Sequence, residues 1–251
     1  MTMDNSSPGE PATIDPAEVA RFARMASSWW DPEGEFRPLH RLNPVRLGFI
    51  RDRMVRHFGC DPKALAPFSG LRLLDIGCGG GLIAEPMARL GCAVTAIDAD
   101  RAALAVARAH AAAAGLAIDY REAAVEDLDA AASFDAVLAL EVVEHVRDRN
   151  GFLAAAAGLV RPGGVLIAAT LNRTAKSFLL AIVGAEYVLR WLPRGTHHWQ
   201  KFVAPSELAA GLRAGGMVPG EVCGLVWAPG RGWTLARDLS TNYLLIAIKP
   251  K

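Results

Sequence analysis

A chain of 251 residues, 52% hydrophobic and 21% charged, is long enough for one well-buried domain with elaborations and short for two. Lys and Arg total 27 against 26 Asp and Glu, a formal charge of +1, which excludes a global basic field for nucleic acid. Cys60, Cys78, Cys92 and Cys223 stand far apart without a CxxC pair, so they read as reduced thiols and neither a disulfide framework nor a zinc site.

Residues 1–16 are rich in Pro, Ser and acidic side chains without an apolar period, and read as a disordered tail. The first twenty residues hold no Arg or Lys, whereas secretory and mitochondrial leaders need a basic start; the expected location is the cytoplasm. No apolar run approaches the roughly 18 residues of a spanning helix. Residues 17–69 form a helical N-terminal cover, interrupted at Asp31–Gly34 and by Pro38 and Pro44, and carrying Trp29 and Trp30.

From residue 70 to 171 strands and helices alternate. Strands are predicted at 71–77, 93–100, within 118–128, at 134–140 and at 161–171. Helices are predicted over 82–90, over 101–114, and from the end of the fourth strand to about Val160. That rhythm predicts an α/β fold, a mostly parallel sheet with helices on both faces. Residues 172–205 are an insertion longer than an ordinary loop. A helix at 206–215 precedes strands at 217–227 and 242–249. With no crossover helix between them, those two strands pair antiparallel at a sheet edge. The expectation is one domain over 17–251, its parts being 17–69, 70–171, 172–205 and 206–251.

The sharpest local signal is DIGCGGG, Asp75 to Gly81, after an apolar strand and before a helix. Glycines there allow a sharp turn and close approach of a ligand to the main chain. A dinucleotide fingerprint fails because Leu82 stands three positions after Gly79, and no Gly-Lys-Ser/Thr follows for a P-loop. Asp98, 21 positions after Gly77 at the end of the second strand, is placed to accept both hydroxyls of a ribose.

LDIGCGGG, AIDAD and VRPGG, in that order, resemble the motifs of the seven-stranded, Rossmann-like S-adenosylmethionine-dependent methyltransferases. By that resemblance Gly77 and Gly79 approach the methionine part of the cofactor and Asp98 holds its ribose. Val125, Glu126 and Asp127 lie near the adenine. The segments at 29–50, 139–146, 170–190 and 195–208 further resemble the ubiquinone-biosynthesis O-methyltransferases, over about Val19 to Lys249. The resemblance implies phenolic hydroxyls of a polyprenylated catechol and of a demethylated ubiquinol as methyl acceptors. It also makes Arg46 and Leu140 cofactor contacts, Leu140 where relatives carry methionine.

Methyl transfer from a sulfonium is a direct displacement governed by positioning. A phenol with pKa near 10 needs a base or a Lewis-acid cation to favour its phenolate. Glu141, Glu144 and His145 lie where the fourth strand gives way to a predicted helix, and at i, i+3 and i+4 they share one side. They are the catalytic candidates and a candidate site for Mg²⁺ or another divalent ion, which the resemblance also implies. The alternative gives Glu141 a cofactor or substrate contact, Glu144 a helix cap, and His145 the role of lone base. His197 and His198 read as loop packing, while His40, His57 and His110 receive no role. Trp29 and Trp30 are either core anchors or part of a cover over the cofactor.

Residues 177–194 are apolar and flanked by Arg173, Lys176, Arg190, Arg194 and Lys201 against the single acid Glu186. That pattern predicts peripheral docking on a membrane surface, with a lid or a dimer contact as rivals. Two rival functions remain at this stage. One is methylation of another small acceptor; the other is a cofactor-binding, non-catalytic subunit of a ubiquinone-synthesis complex.

Overall fold

The computed structural model describes residues 13–129, 133–179, 199–228 and 230–251. Two N-terminal helices, α1 (Pro16–Ala23) and α2 (Arg37–Phe58), precede the sheet. Then follow β1 (Arg72–Ile76), α3 (Ala84–Arg89), β2 (Ala93–Asp98), α4 (Arg101–Ala113), β3 (Asp119–Glu122) and β4 (Phe134–Leu140). The remaining elements are α5 (Arg149–Gly158), β5 (Val160–Leu171), the single turn α6 (Ala175–Ser177), α7 (Pro205–Ala214), β6 (Val218–Ala228), β7 (Gly232–Ala236) and β8 (Asn242–Ile248).

The sheet runs β3-β2-β1-β4-β5-β8-β6-β7. β3 through β5 are parallel, whereas β8 pairs antiparallel with β5 and with β6. The fold is therefore the expected α/β architecture with an antiparallel edge. One strand was not foreseen: β7 pairs with β6 through Trp227 opposite Trp233, making eight strands rather than seven. Its sequence, GWTLA, is short and sits in a Gly/Pro-rich stretch, so only its pairing partner makes it a strand.

Both faces of the central strands are buried, which is why they read as continuous apolar runs. Leu73, Leu138 and Leu244 point to one core with Phe49, Met54 and Leu104 from α2 and α4. Their neighbours Leu74, Val137 and Leu245 point to the other, against Phe152, Leu153, Leu208 and Leu212 from α5 and α7.

The expected interruption at Pro44 is absent, since α2 runs unbroken through it for 22 residues. Pro44 removes one backbone donor. Burial of Leu42, Phe49, Ile50 and Met54 along the helix offsets that loss. The expected disorder of residues 1–16 also needs revision at its end. Thr13 is buried, and its N–H and Oγ donate to the Glu126 carboxylate at 2.9 and 2.6 Å. Residues 1–12 lie outside the described residues, as do 180–198, which hold most of the apolar insertion with His197 and His198.

Candidate active site

The carboxyl ends of β1, β2 and β4 open onto a cavity of about 810 Å³, where ligands of open α/β sheets bind. Its floor is the glycine loop. Gly77 and Gly79 have φ of 69° and 50°, in the left-handed region that a side chain disfavours. A Cβ on Gly77 would overlap Val142, and one on Gly79 would overlap the Trp29 indole.

Asp98 lines the cavity and accepts from the Gly79 N–H at 2.7 Å through Oδ2 and from the Asp100 N–H at 2.8 Å through Oδ1. It thus fixes the loop itself, and a two-oxygen carboxylate keeps further lone pairs for a ribose. Burial pushes its pKa up, against those backbone donors. Asp75 lies deeper, fully buried beside it. Burial and then the Asp98 charge push the Asp75 carboxyl up to about 7.

Among the described residues, Asp75 Oδ2, Asp100 Oδ2, Asn242 Oδ1 and Trp29 Nε1 are buried polar atoms of this cavity without a hydrogen-bond partner. Unpaired buried polar atoms are costly, and two of these four are carboxylate oxygens. A cationic ligand with N–H and O–H donors suits the three acceptors, so the residues present fit S-adenosylmethionine. Sequence reasoning gave no role to Asp100 or Asn242, and read Asp75 only as the acid preceding the glycine turn.

The N-terminal segment closes the cavity. Trp29 stacks on Phe36 at 3.7 Å between ring centroids and packs on Gly79 and Gly80. Trp30 donates from Nε1 to the Gly80 carbonyl at 2.9 Å and stacks on His110 at 3.5 Å. His40 Nε2 lies 2.8 Å from the Trp29 carbonyl, and His110 Nδ1 lies 2.6 Å from Glu85. The tryptophans are thus both anchors and cover, and two histidines given no role hold them.

Arg46, 2% exposed, reaches from α2 across the cavity to pair with Glu141. Glu141 also accepts from Asn242 Nδ2 at 2.8 Å, and its φ of 56° is the only positive value at a non-glycine described residue. Leu140 ends β4 on the cavity wall. Glu126 does not: it is exposed, spends both oxygens on Thr13, and Ala123, Ala124 and Val125 line the cavity there instead. A single helical turn over Val125–Asp127 buries Val125 and turns Glu126 outward.

The expected helix carrying Glu141, Glu144 and His145 is a turn. α5 starts only at Arg149, where Asp148 caps it by accepting from the Gly151 N–H at 3.0 Å. Consequently the three side chains do not share one helical face. Glu141 faces Arg46 and Asn242; Glu144 is buried beside it, within hydrogen-bonding reach of the Glu141 carboxyl and accepting from Thr170 Oγ at 2.8 Å. Burial and the adjacent Glu141 charge push the Glu144 carboxyl well above the usual range. His145 lines the cavity with Nδ1 3.1 Å from Glu18. No group of three or more His, Cys, Asp or Glu suited to a metal occurs among the described residues, so these residues as arranged do not fit a divalent cation.

Glu18 comes from α1. Burial opposes its ionisation, but His145, Lys201 and Arg21 outweigh it and hold the carboxyl down at about 2. Lys201 bridges Glu18 and Asp15 at 3.1 and 3.0 Å, fastening α1 over His145.

The strand order, glycine loop and strand-end acid define the class: a Rossmann-like S-adenosylmethionine-dependent methyltransferase. A methyltransferase-domain profile matches residues 74–168. Solved structures of similar fold include magnesium protoporphyrin IX methyltransferase from Synechocystis with bound SAH (18% identical, TM-score 0.60, covering 92% of this chain and 94% of that one). Another is 1,6-didemethyltoxoflavin-N1-methyltransferase from Burkholderia thailandensis (20% identical, TM-score 0.60, 100% and 99%). Ubiquinone biosynthesis O-methyltransferases are far nearer in sequence. That of Azorhizobium caulinodans is 56% identical over 94% of each chain, and that of Methylobacterium sp. is 53% identical over 98% of this chain and 99% of its own. The chain belongs to the ubiquinone biosynthesis O-methyltransferase family.

Proposed function

We propose that the chain transfers methyl groups to phenolic hydroxyls of polyprenylated catechol and demethylated ubiquinol intermediates of ubiquinone biosynthesis. The observation that carries this reading is the cavity wall. Beyond the glycine loop its exposed surface is mostly apolar, with Phe22, Met25, Phe36, Leu39, Trp227 and Trp233, and Glu141, His145 and Asn242 are among the polar side chains set into it. An aromatic ring with an apolar tail suits such a wall.

S-adenosylmethionine would supply an electrophilic methyl. Asp98, Arg46, Leu140 and the Gly77–Gly79 backbone would hold it, and the Asp75 carboxyl on the same wall would favour a cationic ligand. His145 is the general base: with Nδ1–H donating to Glu18, its Nε2 carries the lone pair that accepts the phenol proton. Glu141 lines the acceptor side, and Glu144 supports it from the protein interior. The clustered apolar wall excludes water and holds the ring in line with the methyl. Transfer that stops in EDTA and returns with Mg²⁺ would require Glu141, Glu144 and His145 to rearrange around an ion.

The membrane reading draws support from Phe178 and Leu179, 42% and 58% exposed at the start of the insertion. Three basic flanks are already engaged, Arg173 with Glu207, Lys176 with Asp238 and Lys201 with Asp15, which lessens their pull on anionic headgroups. No helix among the described residues is long and apolar enough to cross a membrane. Flotation with liposomes equal for the intact protein and a variant lacking residues 178–192 would defeat docking through the insertion.

The test of function is transfer of labelled methyl to a short-chain prenylated catechol beside its tail-less analogue. Preference for the prenylated compound is the expected result. Cofactor binding with transfer to neither compound would defeat the proposal.

A further inference from the structure

Asn242 opens β8, opposite Leu171 of β5 and Leu225 of β6. Because β8 is antiparallel, its first residue lies at the carboxyl edge of the parallel strands, on the cavity wall. From Asp98 on β2 to Asn242 on β8 is four strand steps, about 19 Å at the usual inter-strand spacing. Of the proposed cofactor contacts, Asp98, the glycine loop and Leu140 occupy β2, β1 and β4, and Arg46 reaches Glu141 from α2. Asn242 lies two strands beyond Leu140, at the Arg46–Glu141 pair where cofactor and methyl acceptor would meet.

The residue is 4% exposed, and its amide is oriented by its surroundings. Nδ2 donates to Glu141 Oε1 at 2.8 Å, the same oxygen that pairs with Arg46. A carboxylate in an ion pair only accepts, so the NH₂ end must face it and Oδ1 must face away. Oδ1 is buried with no partner. Glu141, the residue that holds this amide, is itself kept at φ 56°, a conformation that persists only where surroundings enforce it. The site is thus a buried acceptor oxygen on a residue of the cavity wall, its amide fixed by the Arg46–Glu141 pair, and without an O–H or N–H donor.

We propose that Asn242 Oδ1 accepts a hydrogen bond from the ring hydroxyl next to the one being methylated, so that it reads the vicinal diol and sets which oxygen faces the methyl. This rests on the phenolic substrate class proposed above. A buried polar group left unpaired by an analogue discriminates strongly against that analogue.

The experiment measures calorimetric Kd values with SAH bound. The ligands are a short-chain prenylated catechol and the two monophenols that each lack one of its hydroxyls. Wild-type protein should bind one monophenol about tenfold more weakly than the catechol. Asn242→Leu, of similar shape, should bring all three within about twofold of one another, while SAH affinity changes by less than about tenfold. Asn242→Ala is the second variant, and should level the three in the same way. A merely structural role would weaken all three ligands alike and leave the ratio intact, which overturns the inference. A tenfold loss of SAH affinity in both variants would assign Asn242 to the cofactor and also overturn it. Failure of wild-type protein to bind any of the three would instead remove the phenolic substrate class, and this inference with it.

Discussion

Replacing Asp75 with Asn tests the electrostatics of the empty cavity. Asp75 is buried with one unpartnered oxygen, and its pKa moves from 3.8 to about 7 on folding. Between those values the folded protein holds a proton that the unfolded chain has lost, so stability falls as pH rises through the window and the full penalty stands above 7. A displacement of that size corresponds to about 4 kcal/mol, which Asn, of the same shape and uncharged, does not incur. At about 2–4 °C per kcal/mol for a chain of this length, ligand-free Asp75→Asn should melt as much as about 8–16 °C above wild type at pH 8. At pH 4 the two should nearly coincide. The assay is thermal unfolding from pH 4 to 8, with and without S-adenosylmethionine. A cationic cofactor bound near the Asp75 carboxylate would raise the wild-type melting temperature more than the variant's. A gap that does not change with pH, or a variant less stable than wild type at pH 8, would refute the reasoning.

Arg46→Ala strands Glu141 and should cost about 3–5 kcal/mol of stability; it should also weaken cofactor binding, and unchanged affinity by calorimetry would remove Arg46 from the site. Gly79→Ala places a side chain at φ 50° against Trp29; displacement of the indole should appear as a shift in tryptophan fluorescence, with cofactor Kd raised at least about tenfold. Glu126→Ala should release Thr13, read as faster amide exchange at the start of the described chain, while cofactor affinity stays within about twofold. His145→Ala should lower kcat by about 10²–10⁴-fold with little change in cofactor Kd, and a rate near wild type would assign the base elsewhere.

Much of the fold was legible because it rests on short-range patterns. Apolar runs buried on both faces mark β1, β4 and β5, and the acid Asp100 caps the helix that follows β2. The glycine loop was legible too, since positive φ at Gly77 and Gly79 is a local demand on the backbone. So was Asp98, whose offset follows from the length of one strand-helix-strand unit.

What the sequence could not determine depends on partners far along the chain. Whether Glu141, Glu144 and His145 share a helix face turned on where α5 begins; spacing supplied i, i+3 and i+4, but Asp148 starts the helix after them, and Arg46, Thr170 and Glu18 each hold one of the three. Glu18 and Lys201, in opposite ends of the chain, meet over His145 only once α1 docks. Strand β7 exists because β6 offers an edge, and Asn242 reaches the cavity because β8 runs antiparallel. Sequence by itself determined where the cofactor loop lies and that an α/β sheet presents it, because backbone sterics and burial periodicity are local. Tertiary structure alone decided which side chains face one another across the pocket, because that is set by strand order and by hydrogen bonds spanning about a hundred residues, as between Asn242 and Glu141.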